Sequence, residues 1–243
     1  MAMAKTPNFQ YKKSTEQDYA RQLRKLAAQA SAIIMAHVNE DGEIDNVDAM
    51  VQAANLYAQA ITPWAAKVAA DMIKSVTASN RQDWINATKN LSKDLSYALT
   101  DSAIAPTVAQ MQAEQVKLIK SIPTEAAERA KNLSQQAVLS GQRADEVASM
   151  IQDTEGVTKS RATLIARTEI AKTNSSITQA RAQSVGVDNY IWRTMEDAAV
   201  RPSHAEMDDG VFSFSNPPYV DGEGNHGPGD FPNCRCYAEP IIT

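Results

Sequence analysis

The sequence predicts a mainly α protein, a multi-helix N-terminal body carrying a small α+β C-terminal module. Three observations predict it. Apolar residues recur at helical spacing through most of the first 186 residues, with no alternating strand pattern among them. Hydrophobic residues make up 43% of the chain but aromatics only 6%, and alanine supplies much of the difference. That favours helices packed closely through small side chains over a sheet sandwich with a bulky core. Beyond Gly186, Gly, Pro, Asp and Asn dominate, and both cysteines of the chain sit there. The expected organisation is a flexible N-terminus over 1–13, a helical body over 14–186 and a loop-rich module of short strands over 187–243.

The helices read in order. Ser14 and Gln17 fit a capping box, and Tyr19, Leu23, Leu26, Ala30, Ile33 and His37 follow at helical spacing. Asn39-Glu40-Asp41-Gly42 breaks that helix. A second carries Val47, Met50, Val51, Ala54, Tyr57 and Ile61. Thr62-Pro63 reads as an N-cap followed by proline at the first helical position, opening a third helix with Trp64, Val68, Met72 and Val76. Ser79 and Gln82 make a second capping box, ahead of Trp84, Leu91, Leu95 and Leu99. Pro106 opens a helix with Val108, Met111, Leu118 and Ile119. Pro123-Thr124 restarts the chain, and Gly141 is placed as its left-handed cap. A short helix with Val147, Met150 and Ile151 is expected to stop at Gly156, and a last long one to run from near Thr158 to Gly186. In the module, 189–195 has strand-like aromatic and branched residues, with shorter strand candidates at 211–214 and 237–242.

Charge and composition narrow the function classes. A net charge of −5 argues against a protein that coats DNA non-specifically, although a local basic patch is compatible with it. The N-terminus has no apolar run of the kind a signal peptide needs, and no stretch approaches the roughly 20 apolar residues of a membrane span. A soluble protein working in the cytoplasm, or in something assembled there, is expected. Two cysteines two residues apart do not make a disulfide framework.

Several residues are candidates for chemistry. Arg167, Asn174 and Arg181 are spaced by seven, nearly two helical turns, so they share one helix face. Such a stripe docks the module through charge-assisted bonds, with Glu169 or an Asp of the tail as partner, or else faces solvent. Asp209-Gly210 is a strong turn signal. His204, Cys234 and Cys236 are borderline and soft ligands that suit zinc, with His226, Asp208 or Asp209 as the fourth. The alternative is a thiol pair packed in a small core, and no cofactor is assigned on sequence alone. A thiol nucleophile with a histidine base can also be drawn from these residues. The chain has no Gly-rich phosphate loop, no His-Glu-x-x-His and no nucleophile elbow, so a non-enzyme is expected.

An ordered set of residues carries a family resemblance. It runs Leu164-Ile165-Ala166-Arg167-Thr168-Glu169, Asn174, Arg181, Gly186, Trp192, Asp197, Val200-Arg201, His204, Asp209-Gly210, Phe212, Pro228-Gly229 and Cys234-Arg235-Cys236. Together with the lead-in Leu118–Pro123, it resembles the minor head protein family typified by the F protein of bacteriophage Mu, over roughly residues 118–240. The resemblance implies a virion protein of a tailed phage or prophage, present in few copies. It implies assembly in the host cytoplasm with the portal protein and with scaffold or major capsid protein, and a role in head assembly and DNA packaging or ejection; the acidic balance suggests protein partners first, with DNA as a secondary partner through local arginines. Some relatives are fused to toxin domains, and an enzyme or toxin-like effector using the Cys/His cluster is the competing expectation.

Overall fold

The structure, a computed structural model, describes residues 9–89, 100–140 and 144–242. It is mainly α with a small antiparallel strand region near the C-terminal end. In order, it has α1 (Lys13–Met35), α2 (Val47–Ala60), α3 (Thr62–Ala87), a 3₁₀ turn (Asp101–Ile104), α4 (Ala105–Ser140) and α5 (Ala144–Ser184). Then come β1 (Asn189–Arg193), a single turn α6 (Pro202–Ala205), β2 (Val211–Ser213), β3 (Tyr219–Val220), β4 (Gly224–Asn225) and β5 (Tyr237–Pro240).

Local punctuation explains some boundaries. Gly42 takes a left-handed φ of 84° after α1, and the Asn39 side chain accepts from the Asp41 and Glu43 amides to close the turn. Asn46 caps α2 by accepting from the Ala49 amide. Gly186, φ 74°, follows α5 in the left-handed conformation that ends helices.

Other expected breaks do not occur. Ser79 lies inside α3, so its capping box with Gln82 opens no helix. The expected start at Thr62-Pro63 does occur, α3 beginning at Thr62, but the Thr62 hydroxyl donates to the Gln59 carbonyl instead of capping the helix. Pro123 lies inside α4. Proline removes one backbone donor, but hydroxyls serve neighbouring carbonyls, Ser121 donating to Leu118 O and Thr124 to Ser121 O. Gly156 lies inside α5, so the two helices expected on either side of it are one. A single interior glycine costs only about 1 kcal/mol, which packing along a 41-residue helix outweighs. Leu91, Leu95, Leu99 and Gly141 fall outside the described residues.

Two compact units divide the chain, and neither is continuous in sequence. One comprises Gln17–Ala69 and Ala113–Ala166. Its core joins Ala30, Ile34, Met50, Ala54, Ala126, Ala127, Ala130 and Ile151, so the abundant alanine is what lets its helices approach closely. A buried hydrogen bond from the Tyr19 hydroxyl to Gln115 Oε1, at 2.8 Å, crosses the same unit.

The other unit comprises Met1–Glu16, Ala70–Gln112 and Arg167–Thr243. Its core gathers Phe9, Trp84, Tyr190, Trp192, Phe214, Val220 and both cysteines. Most of the large aromatics of this aromatic-poor chain are concentrated here. Phe9 meets Trp84 edge to face at 5.3 Å. The strands form an antiparallel sheet of order β2-β1-β5, with β3 and β4 as a separate hairpin. In β1, Tyr190 and Trp192 point to the buried side, as a period of two requires.

Candidate metal centre

The site is built on the residues just before β5. Cys234 and Cys236 are both buried, while Arg235 between them is half-buried. In extended backbone alternate side chains share a side, so both thiols face inward. Arg235 faces the other way and bonds both carboxylate oxygens of Asp197, at 2.6 and 2.7 Å.

The long helix α5 holds this segment in place. Asn233, in a left-handed conformation (φ 62°), donates its amide to the Thr168 hydroxyl and accepts from Arg167 through its side chain. Arg167 also pairs with Glu16. Gly229 is the close approach of Pro228-Gly229. At φ 90°, it lies where an added Cβ would sit 3.2 Å from both the Ala171 and Cys236 carbonyl oxygens.

The rest of the seven-residue stripe ties α5 to other parts of its unit. Asn174 donates to the Phe9 carbonyl at 2.7 Å and accepts from Asn80, which also donates to Thr178. Arg181 is fully buried and bonds Asp101 at 2.6 Å. The stripe therefore reaches Glu16, Phe9, Asn80, Asp101 and Asn233. Glu169 is half-buried on the same helix. Asp209, at φ 61°, shapes the turn into β2 and pairs with Arg193.

His204, on α6, is 1% exposed. Its Nδ1 lies 3.4 Å from Cys234 Sγ and 3.5 Å from Cys236 Sγ. Its Nε2 lies 2.8 Å from Glu223 Oε2. A carboxylate only accepts, so Nε2 carries a hydrogen there, and in the neutral ring Nδ1 turns a lone pair toward the sulfurs. Trp192 packs its edge on the imidazole at 5.6 Å. Glu223 is itself clamped, by His226 Nε2 at 3.1 Å and Arg201 Nε at 3.4 Å. Arg201 also donates to the Pro232 carbonyl and lies over the Phe231 ring.

These neighbours set the protonation pattern. A hydrogen bond from Cys236 holds the Cys234 thiol well below the usual thiol range against the opposing effect of burial, with His204 assisting. The same bond and burial push Cys236 up. Burial disfavours the His204 imidazolium, but its bonds with Cys234 and Glu223 prevail and raise its pKa.

The structure brings His204, Cys234 and Cys236 together, their ligand atoms within 4.8 Å of one another. The three residues considered as a fourth ligand are engaged elsewhere: His226 with Glu223, Asp208 Oδ1 with the Thr194 amide, and Asp209 with Arg193. Sequence reasoning missed Glu223. It stands alone in a glycine-rich turn, with no spacing to connect it to His204.

Residues 128–239 match the family model described as "Phage Mu protein F like protein". Those residues are similar to phage Mu protein F. The F-like region contains the Arg167–Arg181 stripe, His204, Glu223 and both cysteines. The chain is also 37% identical over 150 residues to an uncharacterized protein of Haemophilus influenzae, covering 61% of this chain and 33% of that relative. It therefore spans about a third of the relative's length. No solved structure matches it. Among the described residues, no helix is long and apolar enough to cross a membrane.

Proposed function

We propose that the protein is a structural minor head protein of a tailed bacteriophage. In this reading it binds the portal, contacts scaffold or major capsid protein, and assists head assembly and DNA packaging or ejection. It assembles in the host cytoplasm and resides in the virion near the portal, with DNA a secondary partner and no membrane involved. The observation that carries the reading is the F-like region itself. Its chemistry-bearing side chains are turned inward: Asn174, Arg181, His204, Cys234 and Cys236 are all buried. Asn174 and Arg181 hold the long helix to Phe9, Asn80 and Asp101, His204 and the cysteines meet within the loop-rich module, and Arg167 and Thr168 join the two through Asn233, which leaves the outer surface to partners.

The test is composition of particles. Procapsids and virions purified from a producing strain should both contain this chain, and cross-linking should join it to the portal protein. Absence from both particles would overturn the proposal.

One observation favours a second reading. Cys234, His204 and Glu223 stand in the order thiol, imidazole, carboxylate, which is the order of a nucleophile, its base and an orienting group. Burial counts against it, since Cys234 is 2% exposed and His204 1%. An enzyme of this kind would lose turnover in Cys234→Ala while keeping its fold.

A further inference from the structure

We propose that His204 Nδ1, Cys234 Sγ and Cys236 Sγ are three ligands of one zinc ion, with Glu223 holding the imidazole from behind. The inference stands apart from the phage-head reading and rests on geometry within the module.

Distances carry it first. Zinc binds thiolate at about 2.3 Å and imidazole at about 2.0–2.1 Å in a tetrahedron, which sets nitrogen and sulfur about 3.5–3.6 Å apart. The two Nδ1–Sγ separations are 3.4 and 3.5 Å. The neighbouring trio of His204, Glu223 and His226 is also a cluster of possible ligands. It fails the same measure. Two light ligands of a tetrahedral zinc stand about 3.3 Å apart. His204 Nε2 and Glu223 Oε2 have closed to 2.8 Å and the His226 contact to 3.1 Å, which are hydrogen bonds.

The surroundings fit as well. Metal-bound histidines commonly donate their second nitrogen to a carboxylate, which fixes the tautomer and strengthens the ligand. Glu223 stands in that place, and Arg201 and His226 prevent it from swinging away. The Cys236 amide points at Cys234 Sγ, at 3.4 Å, a donor that favours a thiolate. Two thiolates and one Zn²⁺ are neutral together, and Arg201 balances Glu223. A neutral set is what a buried site tolerates.

Zinc also answers a physical need. The module has five strands of two to five residues and a single-turn helix, so little regular structure holds it together. A metal linking α6 to the segment before β5 ties its two halves.

The experiment uses the full chain, purified under reducing conditions without chelator. Elemental mass spectrometry should find close to one zinc per chain. Exchange for Co²⁺ should produce the near-ultraviolet thiolate-to-cobalt charge-transfer absorption, which Cys234→Ser and Cys236→Ser should each diminish. Those variants can unfold, so Glu223→Gln supplies a second arm. It removes no ligand, should keep the helical circular dichroism, and should weaken zinc by about 10–100-fold in competition with a chromophoric chelator. Folded wild-type protein with no stoichiometric zinc and no cobalt–thiolate absorption would overturn the proposal. So would an undiminished band in both folded serine variants, which places the metal elsewhere. An unchanged affinity in Glu223→Gln would overturn the role given to that residue.

Discussion

Replacing three glycines by alanine, one at a time, should give three different results. Gly156 lies within α5 and an added Cβ meets nothing within 4 Å. Alanine is the better helix former by about 1 kcal/mol, so Gly156→Ala should stabilise by about that amount. Gly222 has φ +73° and equally open surroundings. Gly222→Ala meets only the left-handed backbone penalty, about 1–2 kcal/mol. Gly229 has φ +90°, and its Cβ would press on the Ala171 and Cys236 carbonyl oxygens at 3.2 Å each. Both oxygens belong to backbone that is held on other sides, by α5 and by the Cys234–Cys236 segment. Strain of about 1–3 kcal/mol joins the displacement of one of these backbones, so Gly229→Ala should cost about 2–4 kcal/mol in all. For a protein of this size that lowers the melting temperature by roughly 4–16 °C. Urea titrations followed by the fluorescence of Trp192, with Trp64 and Trp84 replaced by Phe in every variant, would read the module. Equal midpoints for Gly222→Ala and Gly229→Ala would refute the close approach of Gly229 to α5. A destabilised Gly156→Ala would refute the continuous helix.

Other expectations follow from the same contacts. Asn174→Ala removes a partner of the buried Asn80 amide and leaves the Phe9 carbonyl without its donor, so it should cost about 2–4 kcal/mol. Hydrogen exchange at residues 9–12 should rise with it, and unchanged protection there would count against the anchor. Burial raises Asp83 to about 6, with Lys12 opposing. The native state then holds a proton that the unfolded chain has lost, so this carboxylate lowers stability as pH climbs from about 4 to about 6. Asp83→Asn should flatten that limb of the stability–pH curve and stabilise the protein above pH 6, and a parallel curve for the variant would show the assignment wrong. Arg181→Lys should destabilise although charge is kept, because an ammonium is more strongly hydrated than a guanidinium and costs more to hold fully buried beside Asp101. A midpoint equal to wild type in denaturant titration would contradict this.

Much of the helical architecture was legible in the sequence, because helical periodicity is a local signal. Leu23, Leu26, Met50, Ala54, Val68 and Met72 all lie on the buried stripes their spacing implies. Strand positions at 189–193, 211–213 and 237–240 were legible for a similar reason. Branched and aromatic residues bounded by Gly, Pro and Asp leave few other conformations. His204, Cys234 and Cys236 could be singled out by residue type and by their place in the ordered motif. Helix ends at Ser79, Pro123 and Gly156 were misjudged, because a break worth a kilocalorie or a few is overridden when the helix on both sides is buried. Convergence was decided by the tertiary structure alone. Glu223 reaches His204 across 19 positions, Asn80 reaches Thr178 across 98, and Asn174 reaches the Phe9 carbonyl across 165. No periodicity records such meetings, since they depend on where each chain segment is laid down once the core has closed.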